Sequence, residues 1–350
     1  MDLIPMLKEK RLNAIQDQHI QLAHGNGGRL MRELIDNLFA YHLDNPLLDT
    51  NVDAALMPID GKRQDVMVTT DGFTVKPLEF PGGNIGSLAV HGTINDLSVS
   101  GALPKYLTLN AFIEEGMEIA QLDRIIASLA MAAKTANVSI IAGDTKVLAR
   151  GEGGGLYLAT TGVGVREKNI QLGMNYICPS DVILVSGPIG DHGTAVMLAR
   201  EQFGMRGNLQ SDSTSVLPLS QALLKILGLK FMRDPTRGGL VSVLHEIILA
   251  TGLGIRLFEP QIPIQAPVRS VCEMLGYDPY YLACEGRIVA VVSEEQAEEA
   301  LTALRAVPSG EQAAIIGILQ AEQPHLVLET ELGGERFLED LEDEPLPRIC

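Results

Sequence analysis

The chain has 350 residues and carries 44 acidic against 27 basic side chains, a net charge of −17. That charge excludes bulk binding to nucleic acid or to an anionic membrane, and it requires any anionic ligand to be neutralised locally by cations. Hydrophobic residues at 46% and charged residues at 20% describe a soluble protein, and no apolar run approaches the ~18 residues of a membrane span.

Taken in order, the N-terminus lacks the apolar core and cleavage site of a signal peptide. Leu30, Leu34, Ile35, Leu38 and Phe39 predict an amphipathic helix over 29–42, with residues 44–63 as loop. Asp65–Thr70 reads as a strand that stops at Asp71-Gly72. Pro81-Gly-Gly-Asn84 turns the chain into a helix over 85–100 whose small residues admit a close neighbour. A strand from Tyr106 to Ile113 precedes the helical stripe Leu122, Ile125, Ile126, Leu129, Ala130 and Ala133. Val138–Ile141 is a short buried strand running into Gly143-Asp144, and another strand covers 156–165 after a glycine-rich loop. In the second half, a strand at 181–187 is followed by helices at 191–203, 216–227, 238–251, 267–276 and 294–305. Strands at 255–258, 287–293, 313–319 and 325–329 lie among them.

A chain this long exceeds the size at which one core keeps growing. The expected division is residues 1–168, residues 169–338, and a tail from 339 to 350, with the two domains sharing an interface. Five acids and two prolines in the tail predict an extended, mobile arm ending in Cys350. From Asp340 that arm spans at most about 33 Å, at ~3.3 Å per residue. Cys178, Cys272, Cys284 and Cys350 form no CxxC pair, so neither a zinc site nor a disulfide framework is indicated and the setting reads as cytoplasmic. Three of the cysteines fall within the folded body, and Cys284 reads as a small buried filler.

Asp71, Asp96 and Asp144 stand at apparent strand and helix ends, where each alone could be a turn or capping residue. Converging, they would supply the hard oxygen ligands that magnesium uses to hold a phosphate. His24-Gly-Asn-Gly-Gly28, ahead of a helix, could offer backbone N–H groups to phosphate, though it lacks the Gly-Lys-Ser/Thr of a Walker loop. Asp234-Pro-Thr-Arg-Gly-Gly239 is a second glycine pair opening a helix, where anion binding competes with plain packing.

Together these stretches resemble the superfamily of aminoimidazole-ribotide synthase and selenophosphate synthetase. The resemblance also rests on Phe80-Pro-Gly-Gly-Asn-Ile-Gly86, Asn95-Asp96, Gly143-Asp-Thr-Lys-Val147, Gly190-Asp-His-Gly193, Glu285-Gly-Arg287 and the closing Pro347-Arg-Ile-Cys350. Within it, the terminal Pro-Arg-Ile-Cys is similar to the HypE family of hydrogenase-maturation carbamoyl dehydratases. The resemblance implies an α+β, two-domain aminoimidazole-ribotide-synthase-like fold with a flexible tail, forming a homodimer through the first domain. It implies ATP as ligand, with Mg2+ on Asp71, Asp96 and Asp144. Nucleotide contacts would come from His24, Gly25, Asn26, Gly27, Gly28, Asn95, Asp234 and Arg237. Cys350 would be carbamoylated by the carbamoyltransferase HypF and dehydrated to a thiocyanate. The cyano group would pass to iron on the HypC–HypD scaffold complex, for nickel–iron hydrogenase.

A thiocarbamate expels oxide poorly, so phosphorylating its oxygen supplies a leaving group and explains the need for ATP. Glu285 is the candidate base for the N–H proton, and Lys146 the candidate for stabilising the transferring phosphate or orienting the amide. Structural alternatives are a Glu285–Arg287 salt bridge and a surface lysine. His91 and His192 are expected to be structural or weak phosphate contacts. A selenophosphate synthetase usually has a thiol in its N-terminal glycine-rich loop, and here the first cysteine is Cys178. An ATP-gated scaffold is the rival from another class.

Overall fold

The computed structural model describes residues 28–39, 50–52, 54–57, 64–200, 208–321 and 323–341. The expected nucleotide contacts His24, Gly25, Asn26 and Gly27, and Cys350 itself, lie outside the described residues, as does most of the predicted tail. Two sheets organise the rest. The first has strand order β1-β2-β7-β5-β6, built from β1 (Ala55–Met57), β2 (Gln64–Phe73), β5 (Leu103–Glu114), β6 (Ser139–Leu148) and β7 (Leu156–Glu167). Only β5 and β6 run parallel, joined by helix α3 (Ile119–Thr135) as the crossover. A two-stranded ribbon, β3 (Glu79–Phe80) with β4 (Gly83–Asn84), leads into α2 (Ile85–Val99).

Helix α2 holds the molecule together. Its N-cap Asn84 side chain accepts hydrogen bonds from the backbone N–H groups of Gly86 and Ser87, and the Asn84 N–H donates to Ser87 Oγ, a closed capping box. Ile85, Leu88, Ile94 and Leu97 are fully buried, each worth about 1.5–3 kcal/mol of burial. Nearly every face is covered, because the first sheet lies on one side and the second domain on the other. Gly92 permits a close approach to β2, since a Cβ there would stand 2.8 Å from the Phe73 ring.

The second sheet has order β14-β13-β10-β12-β8-β11-β9. Its strands are β8 (Val182–Val185), β9 (Leu229–Arg233), β10 (Gly254–Phe258), β11 (Val289–Val292), β12 (Ala314–Gln320), β13 (Leu326–Glu329) and β14 (Glu335–Phe337). The strands β8 and β11 are buried throughout, as their unbroken apolar runs, Val-Ile-Leu-Val and Val-Ala-Val-Val, require. Around it lie α4 (Asp191–Ala199), α5 (Leu217–Leu223), α6 (Gly239–Thr251), α7 (Ala266–Leu275) and α8 (Ala297–Arg305). Helix α1 (Arg29–Leu34) continues as a π-turn, Ile35–Phe39. No helix among the described residues is long and apolar enough to cross a membrane.

Several expectations are corrected. The predicted loop at 44–63 contains β1, which pairs with β2 through Ala55, Leu56 and Met57. β2 does not stop at Asp71-Gly72 but runs on to Phe73, because its partner β7 continues the ladder past Thr160 to Leu158. The strand at 138–141 is neither short nor buried: β6 reaches Leu148 and is exposed along its length as the sheet's edge. Strands β9 and β14 were not expected. The tail does not leave the body at 339. Leu338 and Leu341 are buried, Tyr281 donates to the Glu339 carbonyl at 2.8 Å, Arg32 pairs with Asp340, and the Arg29 N–H donates to Leu341 at 3.0 Å. The two leucines anchor a stretch whose acids suggested disorder. Of the three body cysteines, Cys178 is exposed while Cys272 and Cys284 are buried.

Candidate active site

Alternation along β2 turns Met67, Thr69, Asp71 and Phe73 towards α2. Thr69 Oγ1 donates to Asp96 Oδ2 at 2.8 Å, so the strand and helix bring Asp71 and Asp96 into one layer. Asp71 is half-buried, and burial raises its carboxyl above the usual range against the pull of the Gly72 N–H and Arg237. A desolvated carboxylate such as Asp71 is relieved by a cation, and a pair of carboxylates in one layer matches the way magnesium joins one or two carboxylates to phosphates.

Asp144 does not join them within the chain. Asp71 pairs with Thr160 of β7, Thr160 with Leu109 of β5, and Leu109 with Gly143 of β6. Three strand spacings, about 14 Å, therefore separate the two positions. Asp144 is exposed and forms a 3.0 Å ion pair with Lys146, which together with the Thr145 N–H lowers its carboxyl. Among the described residues no three acidic, histidine or cysteine side chains could hold a metal together. Lys146 likewise lies on the exposed strand and not beside Glu285.

Glu285 sits at the junction of the domains. The loop after β9 supplies buried Asp234 and half-buried Arg237, and the Cys284 N–H donates to the Pro235 carbonyl at 3.0 Å, holding the two segments side by side. Burial raises the Glu285 carboxyl well above its ordinary range, and Asp234, Asp212 and Asp71 add to it while Arg237 opposes. The alternative of a Glu285–Arg287 salt bridge is not what forms. Arg287 instead pairs with Asp191 at 3.5 Å and Asp212 at 3.4 Å. Asp191, crowded by burial and by Asp212, is pushed up to about 6.

Two other expected contacts are occupied. Asn95 is fully buried; its Nδ2 donates to the carbonyls of Thr214 (3.0 Å) and Glu285 (3.1 Å), and its Oδ1 accepts from Val216 N–H (2.8 Å). It clamps the domains and has no donor left for a nucleotide. Gly28 is buried against Leu341, whose backbone takes the space a side chain would need.

His91 faces Ser213 and His192 faces Ser211; burial pushes them down to about 4 and about 3, so both are neutral. Cys284 Sγ accepts the Gly190 N–H at 3.1 Å deep in the core. The sequence reasoning missed Asp212 and Asp191, of which only Asp191 lay in a quoted motif. A separate cavity of about 450 Å3 lies at the far end of α2, lined by Val99, Ser100, Arg166, Met174 and Arg233 among others, and holds none of the expected site residues.

Residues 51–166 match the family AIR synthase related protein, N-terminal domain, and residues 179–328 match its C-terminal domain. The chain is 44% identical over 338 residues to the carbamoyl dehydratase HypE of Azotobacter vinelandii, covering 96% of this chain and 98% of that protein. A crystal structure of a HypE–HypF complex superposes with a TM-score of 0.82 at 40% identity, over 88% of this chain and 99% of that one. A crystal structure of HypE in complex with ATP gives a TM-score of 0.78 at 41% identity, over 95% of this chain and all of that one.

Proposed function

The chain belongs to the AIR synthase related family and, within it, to the HypE carbamoyl dehydratases, and from that premise we propose that it dehydrates an S-carbamoyl group on its own Cys350 to a thiocyanate. The observation that carries the reading is Glu285, a carboxyl buried at the domain junction among Asp71, Asp234, Asp212 and Arg237. Loss of hydration makes its ionised form a stronger base than a carboxylate in water, which suits that form to take a proton from the amide nitrogen.

The balance is simple. The carbamoyl oxygen receives the γ-phosphoryl group of ATP, the nitrogen gives up its protons, and the C–O bond breaks to release phosphate. What remains is S–C≡N, with ADP as the other product. Arg237 and the Asp71–Asp96 layer would hold the phosphates, and magnesium on those carboxylates would neutralise their charge. The docked stretch supports delivery of the thiol. Leu338 lies by His245 in the middle of α6, and Glu339 by Tyr281, next to the N-terminal end of the same helix, where Asp234 and Arg237 lie. From Leu341 the remaining nine residues span at most about 30 Å.

Asp144 and Lys146 enter this reading through a homodimer. β6 is an exposed edge carrying Ile141 and Val147, 62% and 72% exposed, and α3 adds Ile119 and Met131. Such an apolar edge is suited to a second copy related by twofold symmetry, which would set Asp144 and Lys146 against the partner's Glu285 layer. HypF as carbamoyl donor, transfer of the cyano group to iron on a HypC–HypD scaffold for nickel–iron hydrogenase, and a cytoplasmic setting complete the proposal.

The test is mass spectrometry of the C-terminal peptide after treatment with the carbamoyltransferase and then ATP. Carbamoylation followed by loss of one water, confined to Cys350 and absent from Cys350→Ser, is the expected result. The same two mass changes on Cys178, Cys272 or Cys284 in that variant would overturn it.

A further inference from the structure

We propose that Asp212 is a positioning residue for Glu285, an inference that rests on the reading of Glu285 as the base. The main chain at Glu285 is gripped from both sides. On one side Asn95 of the first domain donates to the Glu285 carbonyl at 3.1 Å. On the other, the N–H groups of Glu285 and Gly286 donate to Asp212 Oδ1 and Oδ2, at 3.1 and 3.3 Å. Both amides of one turn therefore converge on a single carboxylate.

The segment that carries Asp212 is a strap between the domains. The Ser211 N–H donates to the Pro81 carbonyl at 2.8 Å, Ser213 Oγ meets His91 at 3.3 Å, and Thr214 and Val216 meet Asn95. In the second domain Ser211 Oγ meets His192 at 2.8 Å. Asp212 thus reaches the Glu285 turn from a segment that both domains hold.

A carboxylate is an expensive choice here. The Asp212 side chain is 1% exposed, and burying an anion costs free energy unless it is paired and hydrogen-bonded. Its charge is met by Arg287, which is itself fixed by the Pro188 carbonyl at 2.9 Å and the Ser309 carbonyl at 3.2 Å. An amide of the same shape would offer one acceptor and turn its NH2 towards the other donor. What the acid provides is two acceptors, held rigidly by an arginine, that fix the turn bearing the base. Side-chain placement at this precision matters because a misplacement of about 1 Å can cost as much as 100-fold in rate.

The experiment uses the full chain, carbamoylated at Cys350, and follows water loss by intact mass across ATP concentrations. Asp212→Asn is expected to lower kcat by roughly 10–100-fold and to leave KM for ATP within about twofold. Ser213→Ala, which loosens the strap without touching Glu285, is expected to lower the melting temperature and keep kcat. Equal loss of kcat in Ser213→Ala would mean that the effect is domain stability and would overturn the inference. So would an unchanged kcat in Asp212→Asn while Glu285→Gln is inactive. Full turnover in Glu285→Gln would instead remove the base reading, and the inference with it. Should Asp212→Asn not fold, Asp212→Glu, which keeps the charge but displaces the turn, is held to the same kcat and KM criteria.

Discussion

The junction around Glu285 and the exposed strand β6 carry the same kinds of side chain under opposite conditions of solvent. At the junction, the side chains of Asp212, Asp234 and Glu285 are buried and Asp71 is half-buried, facing Arg237 and Arg287, and burial is the main force raising the Asp71, Asp212 and Glu285 carboxyls. On β6, Asp144 and Lys146 are more than half exposed, and their ion pair lowers the acid. A charge in the first region acts through a low dielectric and is held by its own chain; a charge in the second is screened until something covers it. On the proposed reading, one chain prepares half a site and displays the other half.

Removing the base breaks that contrast most severely. Glu285→Gln is expected to lower dehydration by roughly 100–10,000-fold, the range of general base catalysis, read from the thiocyanate mass. Its melting temperature is expected to hold or rise, because a buried acid among other acids is replaced by a neutral isostere. A fall of many degrees would mean that the carboxyl is a structural partner.

Lys146→Ala sharpens the contrast from the other side. Dehydration is expected to drop strongly while the melting temperature stays put, since Lys146 is exposed. Mixing Lys146→Ala with Glu285→Gln chains should then restore activity, with about a quarter of sites intact in a random twofold dimer. No recovery after remixing would place Lys146 in the same site as its own Glu285, against the strand spacing. In Ile141→Asp the edge itself is tested: light scattering is expected to show a monomer with native melting temperature.

Much of this was legible. The small residues of 85–100 and the turn at Pro81-Gly-Gly-Asn84 identify α2, and Thr-Thr-Asp-Gly and Asn-Asp mark the layer it forms with β2. Asp212 was not, because Ser211-Asp-Ser-Thr-Ser215 has no period and acquires meaning only from Asn95 and Glu285, which are distant in sequence. β6 was misread for a related reason. Its run of Ile140, Ile141 and Ala142 reads as buried, yet the strand stands at an edge where one chain supplies no cover. Gly28 packs against the chain's own Leu341, a contact between distant parts of the chain that no local pattern signals.

The smallest effect concerns pH. Asp191 is raised from 3.8 to about 6 in the folded protein, so its contribution to stability is full below pH 3.8 and is lost as pH rises through 6. His91 and His192, lowered from 6.5, act in the opposite sense, losing stability as pH falls towards 4 and 3. Their opposition flattens the wild-type profile. The difference in melting temperature between wild type and Asp191→Asn is expected to move in favour of wild type as pH falls from 6 to 4. A constant difference would show that Asp191 does not titrate in that window.

The contact between α1 and the docked stretch has a consequence for the order of events during synthesis. Arg32 and Asp340 are 308 residues apart, so the first described helix waits for nearly the last residues to be translated. Six residues are too few to form a stable helix alone, and closing so long a loop is among the costlier steps in ordering a chain. The ends therefore join only after the body between them has been translated. A chain truncated after Phe337 should lose hydrogen-exchange protection at residues 29–32 and keep it along α2; equal protection in both would show that α1 needs no such partner. Docking of the ends thus reports that translation has passed Leu341, the last residue whose backbone the first helix holds.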